Sequence, residues 1–165
     1  MVIEQKNTKE YIFSLLEEVC DPEIPVLSIL DLGIVRRVDL LENQLEIDIT
    51  PTYTGCPAMS LIEATIKAHL EQMTQKTVII KTVLSPAWTT DWISESGKIK
   101  LKEYGIAAPQ NQARIQNILF QKEQVACPRC ESLNTVLVAE FGSTACKSLY
   151  KCSDCLEPFD YFKCH

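Results

Sequence analysis

Four cysteines in the last quarter of the sequence form two pairs. Cys127 and Cys130 enclose two residues in CPRC, Cys152 and Cys155 enclose two in CSDC, and twenty-one residues separate the pairs. Two residues between cysteines let both sulfurs of a tight turn face one ion, and two such turns complete a tetrahedron of ligands. The spacing predicts a zinc ribbon with one structural Zn2+ per chain.

Other chemistry is open to the same thiols. CPRC contains a proline and resembles a redox dithiol, but a matched second pair favours metal binding over disulfide exchange. An iron site or an iron–sulfur cluster uses the same four thiolates, and the spacing does not separate these metals from zinc. Cys146, Cys164 and His165 are further donors. A tetrahedral site does not need them, although one of them replacing a ligand stays open.

Cys56 is a single thiol in TPTYTGCPAM, where a loop leads into a predicted helix at 57–73. Pro57 suits the first helical position, which makes Cys56 the predicted N-cap. The free N–H groups and the dipole of a helix start favour a thiolate there, and a thiolate binds soft metals or attacks electrophiles. The alternative is a packed cysteine without a function, because free cysteines are usually buried.

Asp21 and Glu23 in DPEIP are a candidate acid pair, although such a pair is more typical of a turn and a helix cap. Cys20, at the end of an amphipathic helix, is interpreted as a packed thiol. The sequence contains no E-x-x-H di-iron motif, no G-x-G-x-x-G and no phosphate-binding loop. We therefore expect no intrinsic catalysis.

Hydrophobic periodicity indicates the elements that must position these residues. An apolar helical stripe predicts helices, and alternation of apolar and polar residues predicts strands. The predicted order is helix 8–20, strands 34–41 and 44–50 as a hairpin, helix 57–73, strand 76–84 and helix 89–105. This α-β-β-α-β-α pattern predicts an α/β (α+β) domain at 1–105. A Gln- and Asn-rich linker at 106–125 and a β-rich zinc ribbon at 126–165 follow.

Composition narrows the function classes. The chain has 165 residues and a formal net charge of −6, which disfavours nucleic acid as a partner. No stretch approaches the roughly 20 apolar residues of a membrane helix, and the first residues lack an apolar signal region. We therefore expect a cytoplasmic protein. In that reducing compartment, eight cysteines indicate metal binding or reactive thiols rather than disulfides.

The segments DPEIPVLSILDLGIV and TPTYTGCPAM resemble a family of small cytoplasmic domains linked to iron–sulfur protein assembly. The resemblance covers residues 8 to about 105. In that family the cysteine is tied to cluster or metal handling, a role that maps onto Cys56, with Asp21 and Glu23 as nearby candidates. The resemblance therefore implies transient binding of iron or an iron–sulfur cluster. One cysteine cannot complete a cluster, so a homodimer, a partner or an external thiol would have to supply ligands.

Nearly the whole chain resembles the D-subunit family of bacterial phenylacetyl-CoA epoxidases, including PAWTTDWISESGKIKLKEYGIAAP and FGSTACKSLYKCSDCLEPFDYFKCH. The resemblance implies a non-catalytic accessory or maturation factor of the ring-epoxidising di-iron complex of aerobic phenylacetate catabolism. Its partners would be the other subunits, in which it helps to assemble iron or iron–sulfur centres. The alternatives are a structural adaptor without metal delivery and a thiol oxidoreductase that acts through Cys127 and Cys130.

Overall fold

The computed structural model describes residues 8–109 and 125–163, which form two compact units that divide between Trp88 and Thr89. These residues contain both α-helices and two β-sheets, which confirms the predicted α/β class. None of the helices in the described ranges has the length and apolar character that a bilayer crossing requires.

The first unit follows the predicted order of elements. It contains α1 (Lys9–Glu17), β1 (Val35–Leu40), β2 (Gln44–Ile49), α2 (Ala58–Thr74) and β3 (Thr77–Thr82). Strands β1 and β2 form the predicted antiparallel hairpin, and β2 pairs with β3 in parallel. Since parallel neighbours need a crossover, α2 connects β2 to β3. The helix therefore begins where β2 ends, and the Cys56 loop makes that connection.

Local chemistry explains the two helices of this unit. The Thr8 hydroxyl accepts a hydrogen bond from the Tyr11 N–H at 3.2 Å and caps the start of α1. In α2, every fourth residue is buried, which places one apolar stripe against the sheet. Leu45, Ile47 and Ile49 of β2 are fully buried and form the facing layer. The core of the first unit thus lies under α2.

The second unit begins with a short 3-10 turn at Thr90–Trp92. It continues with α3 (Glu95–Glu103), β4 (Ile106–Ala107), β5 (Thr135–Ala139), β6 (Lys147–Cys152) and β7 (Pro158–Phe162). One helix was predicted over 89–105, but the backbone is extended at Ser94 (ψ 155°) and the helix starts only after it. The Ser94 hydroxyl accepts from the Gly97 N–H at 2.8 Å and caps α3. Gly105, with φ +88°, follows the end of the helix.

The second sheet has the strand order β4-β7-β6-β5. Strand β7 pairs with β6 antiparallel and with β4 in parallel, so it lies inside the sheet. Ile106–Ala107 were predicted to begin the linker, but they belong to the same sheet as the cysteine-rich strands. This pairing is why the two units divide after Trp88 rather than after residue 105. Residues 110–124 of the predicted linker lie outside the described ranges.

Candidate metal centre and the Cys56 loop

The two cysteine pairs lie on two similar turns. In the first, the Glu131 N–H donates to the Cys127 carbonyl at 2.9 Å, and the second follows directly from the end of β6 at Cys152. The residue after each pair, Glu131 or Leu156, has a left-handed backbone with φ of 61° and 63°. Non-glycine residues adopt this conformation infrequently, and here it turns the chain back after each CxxC. Both turns thereby aim their sulfurs at one point.

The four sulfurs are spaced for one tetrahedral ion. All four Sγ atoms lie within 4.8 Å of one another. The Cys127 and Cys155 sulfurs are 3.7 Å apart, and the Cys130 and Cys152 sulfurs are 3.6 Å apart. A tetrahedral ion with metal–sulfur bonds of about 2.3 Å separates its ligands by about 3.8 Å. The donor set therefore fits a metal ion, and the structure brings together all four cysteines of the predicted site.

Hydrogen bonds, burial and the neighbouring sulfurs together set the pKa values of the clustered thiols. The Cys155 and Asp154 backbone N–H groups donate to Cys152 Sγ and lower the pKa of Cys152 to about 7, against the effect of burial. The Ser132 N–H lowers the pKa of Cys130, but burial and the three neighbouring sulfurs outweigh it and raise that pKa to about 12. Because metals bind thiolates, loading the site releases protons that the crowded sulfurs otherwise hold.

A polar network joins the two turns around the sulfurs. The Asp154 carboxylate accepts hydrogen bonds from the Ser132 hydroxyl and, at 2.8 Å, from the Asn134 side-chain amide. These bonds lower the pKa of Asp154. The Asn134 carbonyl accepts from the Ser153 N–H at 2.8 Å. This network was not predicted from the sequence. Its one sequence signal is an aspartate between the two cysteines of the second pair, which does not identify the hydrogen-bond partners of that aspartate.

Removing this carboxylate should loosen the metal site. In an Asp154→Ala variant we expect metal affinity to fall by about 10-fold, because groups that orient metal ligands typically have effects of this size. Competition with a chromophoric chelator measures the change. Glu140→Ala removes a carboxylate of the same unit that is not part of this network and serves as the control. Equal affinities of the two variants would contradict a positioning role for Asp154.

Of the three additional candidate donors, Cys146 lies in the described part of the chain and the other two do not. Cys146 is buried, with its sulfur 3.1 Å from the Thr144 hydroxyl, and it is not part of the four-sulfur cluster. Cys164 and His165 lie outside the described residues. The four sulfurs of the two pairs are sufficient for tetrahedral coordination without Cys146.

Cys56 lies in the first unit, in the connection from β2 to α2. Its side chain is partly buried, and the preceding Gly55 has φ +83°. The structure differs from the prediction in one respect: Pro57 is the cap residue of α2, so Cys56 precedes the cap by one position. The proline ring fixes φ at −67°, already in the helical range, which moves the helix boundary forward. The thiol still adjoins the start of the helix.

A buried hydroxyl lies in the same loop. Thr50 is 1% exposed, and its Oγ1 has no hydrogen-bond partner among the described residues. Burying a hydroxyl without a partner costs about 1–3 kcal/mol. The other two threonines of this loop are more accessible than Thr50: Thr52 is partly buried and Thr54 is exposed.

Asp21 holds the turn after α1. Its Oδ1 accepts hydrogen bonds from the Glu23 and Ile24 N–H groups, both at 2.8 Å. This is the turn arrangement that was expected as the alternative to an acid pair.

The interpretation of Cys20 as a packed thiol was wrong, because its side chain is exposed. The helix ends at Glu17, and Cys20 instead forms an antiparallel bridge with Ser28.

Family models match both parts of the chain. Residues 9–80 match the model described as "Iron-sulfur cluster assembly protein", and residues 111–163 match the "PaaD zinc beta ribbon domain". The first range contains Cys56 and the second contains all four clustered cysteines. Cys56 and the four clustered cysteines thus belong to two different domain families.

Individual proteins match either nearly the whole chain or about three fifths of it. The chain is 46% identical over 153 residues to the putative D subunit of the 1,2-phenylacetyl-CoA epoxidase of Escherichia coli, with 93% of this chain and 91% of that protein covered. It is 39% identical to an Fe-S protein maturation auxiliary factor of Bacillus subtilis, over 59% of this chain and 96% of that one. A crystal structure of a domain of unknown function from Bacillus anthracis superposes with a TM-score of 0.53 at 30% identity, covering 59% of this chain and 92% of that one.

Proposed function

Because this chain belongs to the D-subunit family of 1,2-phenylacetyl-CoA epoxidases, we propose that it serves such an epoxidase complex as an accessory protein. The similarity extends over both units and therefore includes both candidate metal-handling regions. The partners are other subunits of the complex, and ring oxidation belongs to them. Within the complex, the chain assists the assembly of iron or iron–sulfur centres.

The observation that carries the assembly role is the loop that holds Cys56. A partly buried thiol adjoins the start of α2, and the same loop contains the buried Thr50 hydroxyl, which lacks a partner among the described residues. A cysteine sulfur that lies beside the start of a helix and is partly exposed is a suitable ligand for iron. One thiolate leaves coordination positions open, which suits an ion that is passed on rather than retained.

The four-cysteine site has a different role in this proposal. Cys127, Cys130, Cys152 and Cys155 hold one structural Zn2+ that leaves no open coordination position. The bound ion supplies folding energy and no reaction step. Two of the ligands, Cys127 and Cys152, are also members of the small apolar cluster of the second unit, so the metal and the core stabilise each other.

The assembly role is tested with a Cys56→Ala variant that is co-expressed with the other epoxidase subunits. We expect iron in the purified catalytic subunit to fall severalfold, because that subunit would have to acquire iron without the delivering thiol. The rate of phenylacetyl-CoA epoxidation should fall in proportion. Iron content is measured directly by elemental analysis. Cys20→Ala is the matched control, since it removes an exposed thiol from the same unit.

A structural adaptor is the second candidate. The observation that favours it is Leu156, which is 66% exposed on the turn that carries Cys152 and Cys155. An apolar side chain on a rigid metal-bound turn is suited to docking against a protein partner. The adaptor role requires Cys56→Ala to retain full iron loading, while Leu156→Asp prevents co-purification with the complex. That pair of results would contradict the assembly role.

A further inference from the structure

The second unit contains an apolar groove beside its first cysteine turn. The groove lies between α3, β4 and the residues that lead into the turn, and its volume is about 380 Å³. Its lining includes the buried Ala107, Val125 and Tyr161 and the accessible Ile99, which is 59% exposed. Cavities of about 300–1,000 Å³ are typical of sites that take up apolar groups. The groove is therefore large enough for several apolar side chains.

The charged residues that line this groove have partners of opposite charge. Lys102 forms an ion pair with Glu131, which also lines the groove. The Nζ atom of Lys98 lies 2.7 Å from Oε1 of Glu95. Two cations and two carboxylates leave no net charge to attract an ionic ligand. Uncharged apolar groups are thus the occupants that the groove fits best.

The chain leaves the described residues at this groove and returns to them at the same place. Ala108 and Val125 both line the groove, and residues 110–124 join these two ends. Since the fifteen residues must leave and return, no point of the segment lies farther than about 28 Å from its ends. A segment tethered at both ends has an effective concentration on the order of millimolar at the groove. Another protein would have to compete with that concentration.

Residues 110–124 supply apolar side chains that can reach the groove. Their sequence, QNQARIQNILFQKEQ, is polar except for Ala113, Ile115 and the run ILF at 118–120. Large apolar side chains in a polar segment gain free energy when a groove removes them from water. Five positions separate Phe120 from Val125, which is about 17 Å of fully extended chain. The run is therefore close enough to bind beside the point where the chain returns.

The family match of the ribbon includes this segment. The match begins at residue 111, sixteen residues before Cys127. A stretch that only connects two domains has few contacts with either of them, so it is not expected to match the model of one domain. The extent of the match favours a segment that belongs to the second unit.

We propose that residues 110–124 bind in this groove through the apolar run at 118–120. In this arrangement the segment is a part of the ribbon unit and not a spacer. Ala107, Val125 and Tyr161, which line the groove, belong to one apolar cluster with two of the metal ligands. The bound run extends that cluster, and other proteins contact the second unit elsewhere.

The test measures the rates of tryptic cleavage after Arg114 and Lys122 in the metal-loaded full chain, followed by mass spectrometry. A synthetic peptide of residues 108–126 gives the rates for the unbound segment. Because cleavage requires the segment to leave the groove, we expect wild type to be cleaved at least about 10-fold more slowly than the peptide.

Two variants remove the contact from its two sides. Leu119→Asp changes the segment and Ile99→Asp changes the groove, and each should raise both cleavage rates by at least about 10-fold. Val138→Asp is the matched control, since it replaces an apolar residue that is 56% exposed in the same unit but does not line the groove. We expect the control to be cleaved as slowly as wild type.

The outcomes separate this contact from other uses of the groove. Wild-type cleavage at the rate of the peptide would overturn the proposal and leave the groove to an apolar segment of another protein. Slow cleavage that Ile99→Asp leaves unchanged, or that Val138→Asp abolishes equally, would also overturn it. Metal content equal to wild type shows that each variant is folded. The proposal does not depend on Cys56, so Cys56→Ala should be cleaved as slowly as wild type whatever the result for iron.

Discussion

A Cys127→Ser variant is expected to lose its metal and, with it, the fold of residues 125–163. The Cys127 sulfur is buried, lies 3.7 Å from the Cys155 sulfur and belongs to the apolar cluster of the second unit. Apparent binding free energies of structural zinc in small domains are about 10–16 kcal/mol. That range is comparable with the whole stability of a typical domain, about 5–15 kcal/mol. No other substitution in the second unit should have a larger effect.

Metal content by elemental analysis and amide hydrogen exchange over residues 125–163 measure the two losses. Cys146→Ser is the matched control, since Cys146 is also buried in this unit but lies outside the four-sulfur cluster. We expect the control to retain one metal per chain and slow exchange. If Cys127→Ser kept both properties, the four sulfurs would not be the structural metal site.

Replacing Lys147 should also destabilise the second unit. Its side chain is only 8% exposed, and its Nζ lies 3.3 Å from Oδ2 of Asp160 on the neighbouring strand. Removing Lys147 leaves the Asp160 carboxylate, which is 26% exposed, partly desolvated without its partner, so Lys147→Ala should lower the free energy of unfolding by about 2 kcal/mol. Urea unfolding of the metal-loaded protein measures this change. A double variant with Lys147→Met and Asp160→Leu should recover most of the lost free energy of unfolding.

Lys151→Ala provides the comparison on the same strand. The Lys151 side chain is exposed, and changes at exposed sites usually alter stability by less than about 0.5 kcal/mol. Similar unfolding midpoints for the Lys147 and Lys151 variants would show that the Lys147–Asp160 pair contributes nothing. A double variant no more stable than Lys147→Ala would show that lost packing, and not the unpaired charge, dominates.

Much of the first unit was predictable because its elements are long and periodic. The stripe of α2 and the alternation of β2 specify which faces are buried, and Asn43 lies in the short turn that joins the hairpin. The second unit was harder to predict. Strand β7 begins at a proline and has only five residues, and β4 has two. Such short segments acquire their structure from partners that are distant in sequence, which periodicity does not reveal.

The candidate metal centre was likewise predictable in one part and not in another. The spacing within each CxxC is a local property, so the sequence placed the four cysteines together. The bonds from Ser132 and Asn134 to Asp154 join residues about twenty positions apart, and isolated polar residues in turns carry no pattern. The burial of Lys147 could not be predicted for a similar reason. A lysine in a strand predicts an exposed position, and its ion-pair partner Asp160 lies on β7, two positions from the residue that faces Lys147.

The position of β7 between β4 and β6 has a consequence for the order of events during translation. Since β7 is the last of the four strands to leave the ribosome, the sheet cannot close until residues 158–162 have emerged. The fourth cysteine, Cys155, emerges just before it. A nascent chain can therefore capture its metal first and add the central strand afterwards, onto turns that are already fixed. The first unit, which ends at Trp88, has emerged before any of these residues.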